Sequence, residues 1–314
     1  MGLNKLFIAP LLVFSNLLFA QETDSTYIQK FPEKITFRLG LQNTSNSFDV
    51  RRTENNVPYR LEPNKQDYFT ASILFRSLEL DYGFAPGFLS VNKDNENSTL
   101  FNLNFRMFLG QWMQTIDLYA QKGFYAIIDD ERTYIETLKT TKIGGKTAYI
   151  FNKNFSFRAI GFQNEWQKKS AGSFIPHLSF YHTKFQFNDT EVNEESSSLD
   201  LTVAPSYHYN FVLKKHFILS VGAGAGVGLN LFSENEVTIG SSVFEFNTRI
   251  ATGYNSEHFF GGINGNLFLL AHNADRYARL NDELSFLEFY IGYRFNAPKK
   301  WVKAADDFNR KFGL

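Results

Sequence analysis

The chain has 314 residues, carries 32 basic and 32 acidic side chains and contains no cysteine. The balanced charge gives no reason to expect a nucleic-acid partner, and the lack of cysteine excludes disulfides, thiol catalysis and cysteine-ligated metals. Aromatic residues make up 17% of the chain, yet its mean hydropathy is −0.27. A transmembrane β-barrel combines these properties because apolar outward-facing residues alternate with polar inward-facing ones, although a soluble protein can share them.

The N-terminus has the pattern of a secretory signal peptide. Lys5 is followed by an apolar run from Leu6 to Phe19, and Ala20 precedes the polar sequence QETD. The run is short for a membrane helix, and no other segment has ~18 uninterrupted apolar residues, which excludes a helical membrane protein. We therefore predict a signal peptide at 1–20 and a periplasmic N-terminal segment at 21–33. The alternative is a buried helix of a soluble protein.

From residue 34 onward, apolar and polar residues alternate with the period of two that is typical of β-strands. In ITFRLGLQ, Ile35, Phe37 and Leu39 share one face, whereas Thr36 and Arg38 share the other. The same pattern predicts twelve strands, near 34–45, 68–75, 78–84, 99–109, 113–124, 154–166, 172–187, 198–211, 216–231, 242–254, 258–271 and 284–295.

The predicted connections alternate between long and short. Long polar connections are predicted at 46–67, 85–98, 125–153, 188–197, 232–241 and 272–283, with tight turns between them at 76–77, 110–112, 167–171, 212–215 and 255–257. Outer-membrane barrels have long extracellular loops and short periplasmic turns, whereas a secreted β-sandwich, the main alternative, has no reason to sort its loops by side.

We therefore predict an all-β, antiparallel up-and-down transmembrane β-barrel at 34–295, with about 12 strands (range about 10–14). Its short turns face the periplasm and its longer loops are extracellular. The connection 125–153 either extends its flanking strands or forms a small extra hairpin.

The stretch FILSVGAGAGVGLNLF has glycine at every second position from Gly222 through Gly224 and Gly226 to Gly228. This spacing does not match G-x-G-x-x-G, and no Lys-Ser or Lys-Thr follows, so a nucleotide-binding loop is not indicated. The intervening residues are apolar, which predicts a spanning strand with its glycines facing the lumen. We expect this bare inner wall to border a lumen cavity.

Residues 296–314 follow the last predicted strand. Pro298 fits the start of a helix, and Trp301, Ala305, Phe308 and Phe312 recur at helical spacing. We predict a short periplasmic helix that lies either in the barrel mouth or on the inner-leaflet surface.

Three stretches carry a resemblance to a known family: TYIQKFPEKITFR, IGGKTAYIFNKNFSFRAIGFQNEWQKKSAGSFI (Ile143–Ile175) and FVLKKHFILSVGAGAGVGL. Over essentially its whole mature length, the chain resembles the family called domain of unknown function 4421, most specifically at Arg158–Phe174. The resemblance implies a secreted outer-membrane β-barrel of Gram-negative bacteria. It implies no activity and supplies no catalytic residue.

Charged side chains on the predicted strands should face the lumen, because a charge on the lipid face costs about 2–4 kcal/mol near the middle of the bilayer. The predicted lumen network consists of Arg38, Arg106, Arg158, Arg249, Arg294, Asp117, Asp200, Glu245 and Glu288. These groups either pair and brace the barrel, which we favour, or form a polar track for a small solute. A barrel of this size lies between filled eight-stranded barrels and open porins, so it is compatible with both.

His177 and Ser179 share one face of a predicted strand. The pair is similar to that of outer-membrane phospholipases, which place His and Ser together and orient the His with a third polar group, here Asn164 or Asn188. The pair is not specific, since it often occurs by chance and Ser179 lacks an SNG-like continuation. A lipid hydrolase is therefore the alternative to our main prediction, a non-enzymatic barrel that is either structural or a narrow solute pore.

The sequence QKKSAGS predicts a periplasmic turn in which Lys168, Lys169, Ser170 and Gly172 either shape the backbone or contact lipid phosphates or a periplasmic partner. The second option makes the chain a periplasm-facing scaffold. No zinc spacing, P-loop or GxSxG motif occurs, so we expect no metal and no cofactor. The expected partners are outer-membrane lipids, the barrel-assembly machinery during biogenesis, and either a small solute or a periplasmic protein.

Overall fold

In a computed structural model, the chain is described at residues 25–52, 58–64, 67–92, 97–161, 164–188, 193–234, 237–273 and 278–312. The predicted signal peptide lies outside these residues. The elements are β1 (Ile28–Lys30), β2 (Lys34–Arg52), β3 (Pro58–Pro63), β4 (Asp67–Phe75), β5 (Leu78–Phe84), β6 (Thr99–Leu109), β7 (Trp112–Ile128), β8 (Glu131–Tyr149), β9 (Glu165–Gln167), β10 (Ala171–Phe174), β11 (His177–Asn188), β12 (Asn193–Ala204), β13 (Ser206–Leu213), β14 (Phe217–Glu234), β15 (Val237–Asn255), β16 (Phe259–Asn273), β17 (Ala278–Asn296) and α1 (Lys299–Phe312).

Twelve wall strands form a closed antiparallel ring. β10 and β11 are two parts of one wall strand, and β12 and β13 are two parts of the next, because Ala171 pairs with Asn210 in the same register in which His177 pairs with Ala204. A proline interrupts each of them, since it has no N–H to donate to the sheet. The order is β2, β4, β5, β6, β7, β8, β10/β11, β12/β13, β14, β15, β16 and β17, and β17 pairs with β2. The predicted barrel of about 12 strands and its helical tail are confirmed.

The two ends of the barrel differ in height. β2 begins and β17 ends at one end, which we call the termini end; the opposite end is the hairpin end. β4, β5 and β6 have between 7 and 11 residues, whereas β2, β8, β15 and β17 have 19 each. β3 fills the gap above the short strands because it pairs with β2 on one side and β7 on the other. The wall therefore stays closed at the hairpin end.

The outer surface of the wall is an apolar belt. On β14, Val227 and Leu229 are 68% and 67% exposed, whereas Ser220 and Asn230, which point inward, are 1% and 4% exposed. The other wall strands show the same inversion of the usual soluble pattern, with exposed Leu, Ile, Phe and Tyr on the outside. Such a continuous apolar exterior around a closed barrel suits a lipid environment. No described helix is long and apolar enough to span a membrane.

Among the described residues, the hydrophobic core lies inside the barrel in three clusters. The first, at the termini end, consists of Phe108, Met113, Ala148, Ile150, Phe155, Phe157, Ile160, Ala171, Ile175 and Ala251. The second, near mid-height, consists of Tyr181, Val243, Phe268, Leu270 and Leu284. The third, at the hairpin end, consists of Phe48, Leu61, Phe124 and Leu138. Each cluster joins residues from separate parts of the wall, so side chains fill the lumen at three heights.

The predicted strand at 154–166 is wrong. Residues 154–161 form turns and irregular backbone inside the barrel, and only 165–166 belong to a strand, β9. Phe155 and Phe157 do alternate with Ser156 and Arg158, but in a folded segment whose phenylalanines face the first cluster. The sixth wall strand is β8, which lies within the predicted connection 125–153. Of the two options for that connection, neither is correct in full: β7 does extend to Ile128, but 131–149 form a complete wall strand, β8, that pairs with β7 and β11.

Other predicted connections also contain strand residues. β7 and β8 are joined by Asp129 and Asp130, whose φ angles of 48° and 70° suit a type I′ hairpin turn. β2 continues to Arg52, and β17 begins at Ala278. The turns predicted near 76–77, 110–112, 212–215 and 255–257 do lie together at the termini end.

Candidate functional site

A segment of the chain itself occupies the termini end of the lumen. We call residues 150–170, where described, the plug. Arg38 Nη1 donates to Gly161 O at 2.6 Å, and Arg249 Nη2 donates to Ile160 O at 3.3 Å. These arginines belong to β2 and β15, and Asn210 of β13 holds a third plug carbonyl at 2.9 Å. The wall therefore anchors the plug backbone from several sides.

The N-terminal segment adds to the plug. β1 pairs antiparallel with β9, and Phe31 N donates to Asn164 O at 3.2 Å. The guanidinium of Arg294 lies 4.4 Å from the centre of the Phe31 ring and donates to Asn255 Oδ1 at 2.8 Å. The described part of the predicted segment 21–33 thus closes the barrel mouth, while residues 21–24 lie outside the described residues.

Arg158 is a correction to the predicted lumen network, because it lies on the plug and not on a wall strand. Its Nη1 is 3.5 Å from Glu165 Oε1, and its guanidinium lies 4.4 Å from the centre of the Phe108 ring. It also donates to Arg76 O at 3.3 Å, so it ties the plug to the β4–β5 turn.

Glu245 is a fully buried centre of polar contacts in the lumen. His177 Nε2 donates to its Oε1 at 2.7 Å, Ser179 Oγ donates to its Oε2 at 2.7 Å, and Thr202 also donates to Oε2. Lys146 Nζ lies 3.5 Å from Oε1. A buried carboxylate needs such partners to offset its lost hydration, so this cluster joins β8, β11, β12 and β15.

This geometry differs from a serine-hydrolase relay. In such a relay the His lies between the Ser and the acid, whereas here both His177 and Ser179 bond directly to Glu245. Ser179 is 1% exposed and faces the lumen, away from the lipid side of the wall. Of the suggested third groups, Asn164 instead donates to Arg76 O at 2.7 Å, and the side chain of Asn188 lies outside the described residues.

Two arginines of the predicted network contact carboxylates on other wall strands. Arg38 lies 3.2 Å from Asp81 and 3.5 Å from Glu288, and Arg106 lies 3.0 Å from Glu79. Arg38–Glu288 and Arg106–Glu79 join adjacent strands, whereas Arg38–Asp81 reaches across β4 from β2 to β5.

The two predicted aspartates are also buried in the lumen. Asp117 accepts from Tyr181 Oη at 2.8 Å and from Asn104. Asp200 accepts from His272 Nε2 at 2.6 Å and from Asn230 at 2.7 Å. Both buried carboxylates therefore have polar partners that offset their lost hydration.

An ion pair that the sequence did not reveal crosses the lumen. Lys142 Nζ contacts Asp282 Oδ2, and both side chains are buried. Their strands, β8 and β17, are the sixth and twelfth in the ring that starts at β2, so they lie opposite each other. The rings of Phe48 on β2 and Phe185 on β11 also meet across the barrel, with centroids 5.0 Å apart. Side-chain contacts therefore cross the lumen above the plug as well.

Several lumen charges escaped the sequence analysis: Glu79, Asp81, Lys142, Lys146, His272 and Asp282. Lys142 and Lys146 lie in the segment that was predicted to be a loop. The strand alternation could have revealed Glu79 and Asp81, because they share the inward face of β5 with each other. Their partners could not be found, since cross-barrel neighbours depend on the ring register.

A cavity of about 180 Å³ lies between the plug and the mid-height cluster. Its polar lining includes Arg106, Asp117, Lys146, His177 and Arg249. Three of these groups are cations and one is a carboxylate, and the aromatic rings of the first and second clusters complete the wall. The cavity has the size and the chemistry to hold water or a small polar molecule.

The four glycines of β14 do face inward, but they do not line this cavity, which corrects the prediction. A Cβ atom on Gly222 would overlap the His208 ring, and one on Gly226 or Gly228 would overlap the backbone of the neighbouring strand. Gly224 is similarly covered by Ser206. The glycines therefore permit close approach of β12 and β13 rather than leaving open space.

The predicted turn at 167–173 connects the plug to the wall and does not join two wall strands. Lys169 Nζ donates to Thr26 Oγ1 at 3.1 Å, and Ser170 Oγ accepts from Val212 N at 2.9 Å. Lys168 lies near the Trp166 ring. Gly172 belongs to β10, where a Cβ atom would overlap the rings of two outward-facing tyrosines of β13.

At the rim of the termini end, the turn between β15 and β16 is tied to the start of β2. Lys34 Nζ donates to Glu257 Oε1 at 3.2 Å, and this hydrogen bond lowers the pKa of Glu257. Within the described residues, no group of three His, Asp or Glu side chains is arranged to hold a metal ion.

Several solved barrels are similar to this chain in outline. The outer membrane protease OmpT from Escherichia coli is 10% identical, with 85% of this chain and 98% of that chain covered, at a TM-score of 0.32. An outer membrane channel from Pseudomonas putida F1 is 10% identical, with 88% and 100% covered, at 0.38. The beta domain of the Bordetella autotransporter BrkA is 9% identical, with 84% and 100% covered, at 0.38. At such low TM-scores, these similarities do not bear on activity.

No curated protein matches the chain. The sequence profile of the family described as Domain of unknown function (DUF4421) matches residues 22–295, which include the plug and nearly all of the twelve-stranded wall. The stretch that resembled this family most specifically, Arg158–Phe174, forms much of the plug. The chain therefore belongs to the DUF4421 family.

Proposed function

We propose that this chain is a structural outer-membrane β-barrel whose lumen is closed at rest by its own side chains and plug. The observation that carries the proposal is the Lys142–Asp282 pair, which joins opposite walls of the ring. Above and below it, the three apolar clusters and the plug occupy much of the lumen around the cavity of about 180 Å³. A barrel with these cross-lumen contacts is braced against deformation, and ions have no continuous water path through it.

The outer membrane is the location that best suits this barrel. A closed ring leaves no unpaired strand edge in lipid, and the exterior belt is apolar while the interior is polar. In this orientation the termini end, with the plug and α1, faces the periplasm, and the hairpin end faces outward. The N-terminal pattern of a signal peptide supports export.

A narrow passage for a small solute is the second candidate function. The cavity of about 180 Å³ favours it, because three cations and polar amides line a chamber large enough for a small polar molecule. A passage requires both the plug and the mid-height contacts to move. We expect an anionic or neutral polar solute, since the lining carries more positive than negative groups.

Planar-bilayer conductance tests both proposals. We expect no ion-conducting steps from the natural chain. In an opened variant, a short Gly-Ser linker replaces 152–163 and alanine replaces the side chains that meet across the lumen: Phe48, Lys142, Tyr181, Phe185, Phe268 and Asp282. This variant should conduct, which would show that the assay detects an open barrel. The control variant is Arg132→Met, because the Arg132 side chain lies at the hairpin end and is half-exposed. It tests whether a substitution away from the lumen contacts affects folding or conductance. Conductance of the natural chain equal to that of the opened variant would rule out the closed barrel and support the passage.

A further inference from the structure

The C-terminal helix α1 lies against the outside of the barrel. The rings of Trp301 and Phe75 meet with centroids 6.1 Å apart, and Arg76 Nη2 lies 2.5 Å from Asp306 Oδ1. Phe75 ends β4 on the same face as Ile73, which is 42% exposed in the apolar belt. The barrel mouth is occupied by the plug. Of the two positions expected for the tail, the barrel mouth and the inner-leaflet surface, α1 therefore does not take the first.

The helix has two chemically distinct faces. Trp301, Ala305 and Phe308 follow each other at i, i+4 and i+7, and the two aromatic side chains are 50% and 53% exposed. Lys303 and Arg310 lie on the opposite face. Because the Trp301 ring meets the Phe75 ring, the apolar face of α1 lies next to the apolar belt of the wall.

The charge of α1 is strongly positive. Its basic residues are Lys299, Lys300, Lys303, Arg310 and Lys311, and its acidic residues are Asp306 and Asp307. Five positive and two negative charges leave a net charge of +3. Arg76 and Arg310 contact the two aspartates, at the sides of the helix. Positive charge beside an apolar face is the pattern of helices that lie in the interface of an anionic membrane.

We propose that α1 is an interfacial helix that binds anionic phospholipids of the leaflet at the termini end. Trp301 and Phe308 enter the acyl-chain boundary, and the lysines and arginines reach the phosphate groups around them. The helix then anchors the rim where β2, β4 and β17 lie close together. This role goes beyond a closed structural barrel, since it assigns a lipid-binding surface to a segment outside the wall.

Spin labels can locate the helix because the natural chain has no cysteine. Ala305→Cys places a label on the apolar face and leaves Trp301 and Phe308 intact, whereas Lys303→Cys places one on the polar face. Ile291→Cys, in the belt, marks the lipid-exposed wall. Each full-length variant is reconstituted into nanodiscs of phosphatidylcholine alone or mixed with phosphatidylglycerol. Collision rates with oxygen, which enters lipid, and with a polar nickel chelate are compared.

We expect the label at 305 to have a several-fold lower ratio of nickel to oxygen collisions than the label at 303. Phosphatidylglycerol should lower the ratio at 305 further, and Trp301→Ser with Phe308→Ser should raise it toward that at 303. Unchanged heat-modifiable migration of these variants on gels shows that the barrel stays folded.

Equal exposure of the labels at 303 and 305 to nickel in both lipids would overturn the lipid-binding role. Protection at 305 that persists in detergent and in the double serine variant would also overturn it, because a protein surface then covers the helix. Failure of the membrane-spanning barrel itself is distinguishable, since only then does the label at 291 become accessible to nickel.

Discussion

Gly222 lies where the ring of His208 closes onto the inner face of β14. A Cβ atom at this position would overlap His208 Nδ1, and His208 cannot easily move because its ring contacts Phe155 and Phe157 of the plug. We therefore expect Gly222→Ala to lower the free energy of unfolding by about 1–3 kcal/mol, the usual cost of overpacking. Urea unfolding in lipid vesicles, followed by tryptophan fluorescence, measures the change.

Gly240→Ala is the matched control for this substitution. On the neighbouring strand β15, its added Cβ would have only Leu231 nearby, at 3.8 Å. Adding His208→Ala to Gly222→Ala removes the overlapping ring, so the two changes together should cost less than their sum. Equal losses from Gly222→Ala and Gly240→Ala would contradict the proposed overlap.

The Lys142–Asp282 pair makes a second prediction at the residue scale. Lys142→Met leaves Asp282 buried without its counter-charge, so we expect a loss of about 3–5 kcal/mol in the free energy of unfolding. Asp282→Leu in the same chain removes the stranded charge and should restore most of the loss. The same urea unfolding measures both variants.

Lys184→Met provides the comparison for a pair at the surface. Lys184 lies 2.7 Å from Glu195 at the hairpin end, where the two side chains are 36% and 58% exposed. Solvent screening weakens such an exposed pair, so we expect a much smaller loss than at Lys142. A loss at Lys142 no larger than that at Lys184 would show that the cross-lumen pair does not brace the barrel.

The sequence predicts which face of the wall a side chain occupies wherever polar and apolar residues alternate clearly along a spanning strand. Arg38, Glu245 and Glu288 all face inward, as the cost of charge in lipid requires. Their partners were not predictable, because Glu245 meets His177 across 68 residues of sequence. Only the order and register of the ring bring those two strands within hydrogen-bond distance.

At the scale of the element, the plug shows why period two does not identify a wall strand. A wall strand has lipid on one side, so one of its faces must be apolar throughout. A segment inside the lumen meets wall side chains on all sides, and Phe155 and Phe157 alternate with Ser156 and Arg158 only because the two rings fill the first cluster. β8 escaped prediction for the converse reason. Its upper half rises beyond the belt, where both faces are polar enough to resemble a loop.

Because the plug is held inside the lumen, we expect its peptide bonds to resist proteolysis in the folded protein. Arg158 sits among Phe108, Glu165 and the carbonyl of Arg76, whereas Lys303 on α1 is exposed. In detergent, trypsin should therefore cut after Lys303 early and after Arg158 only once the barrel is heat-unfolded. Mass spectrometry of timed digests gives both rates. Cleavage at the two sites with similar rates in the folded protein would contradict a plug held within the lumen.

At the scale of the whole molecule, the sequence predicted the number of strands and their closure into a ring. It did not predict whether the lumen of that ring is open or filled. Counting alternating segments gave about twelve strands even though one of them was misplaced, because β8 and the plug lie in the same stretch of chain. Whether such a barrel is open depends on which side chains meet across it. The contact of Phe48 with Phe185 and that of Lys142 with Asp282 depend on the shape of the closed ring.

In the proposed orientation, the hairpin end faces the cell exterior and the termini end faces the periplasm, so the two ends should differ in their access to reagents outside the cell. The chain has no cysteine, so single cysteines report their own position. Glu131→Cys lies beside the β7–β8 turn at the hairpin end, and Lys303→Cys lies on α1 at the termini end. In intact Gram-negative cells, a membrane-impermeant maleimide should label residue 131 and reach residue 303 only after the outer membrane is permeabilised. Labelling of residue 303 alone in intact cells would show that the barrel has the opposite orientation. Labelling of both residues in intact cells would mean that the wall does not separate the two ends, and the apolar belt would then require another explanation.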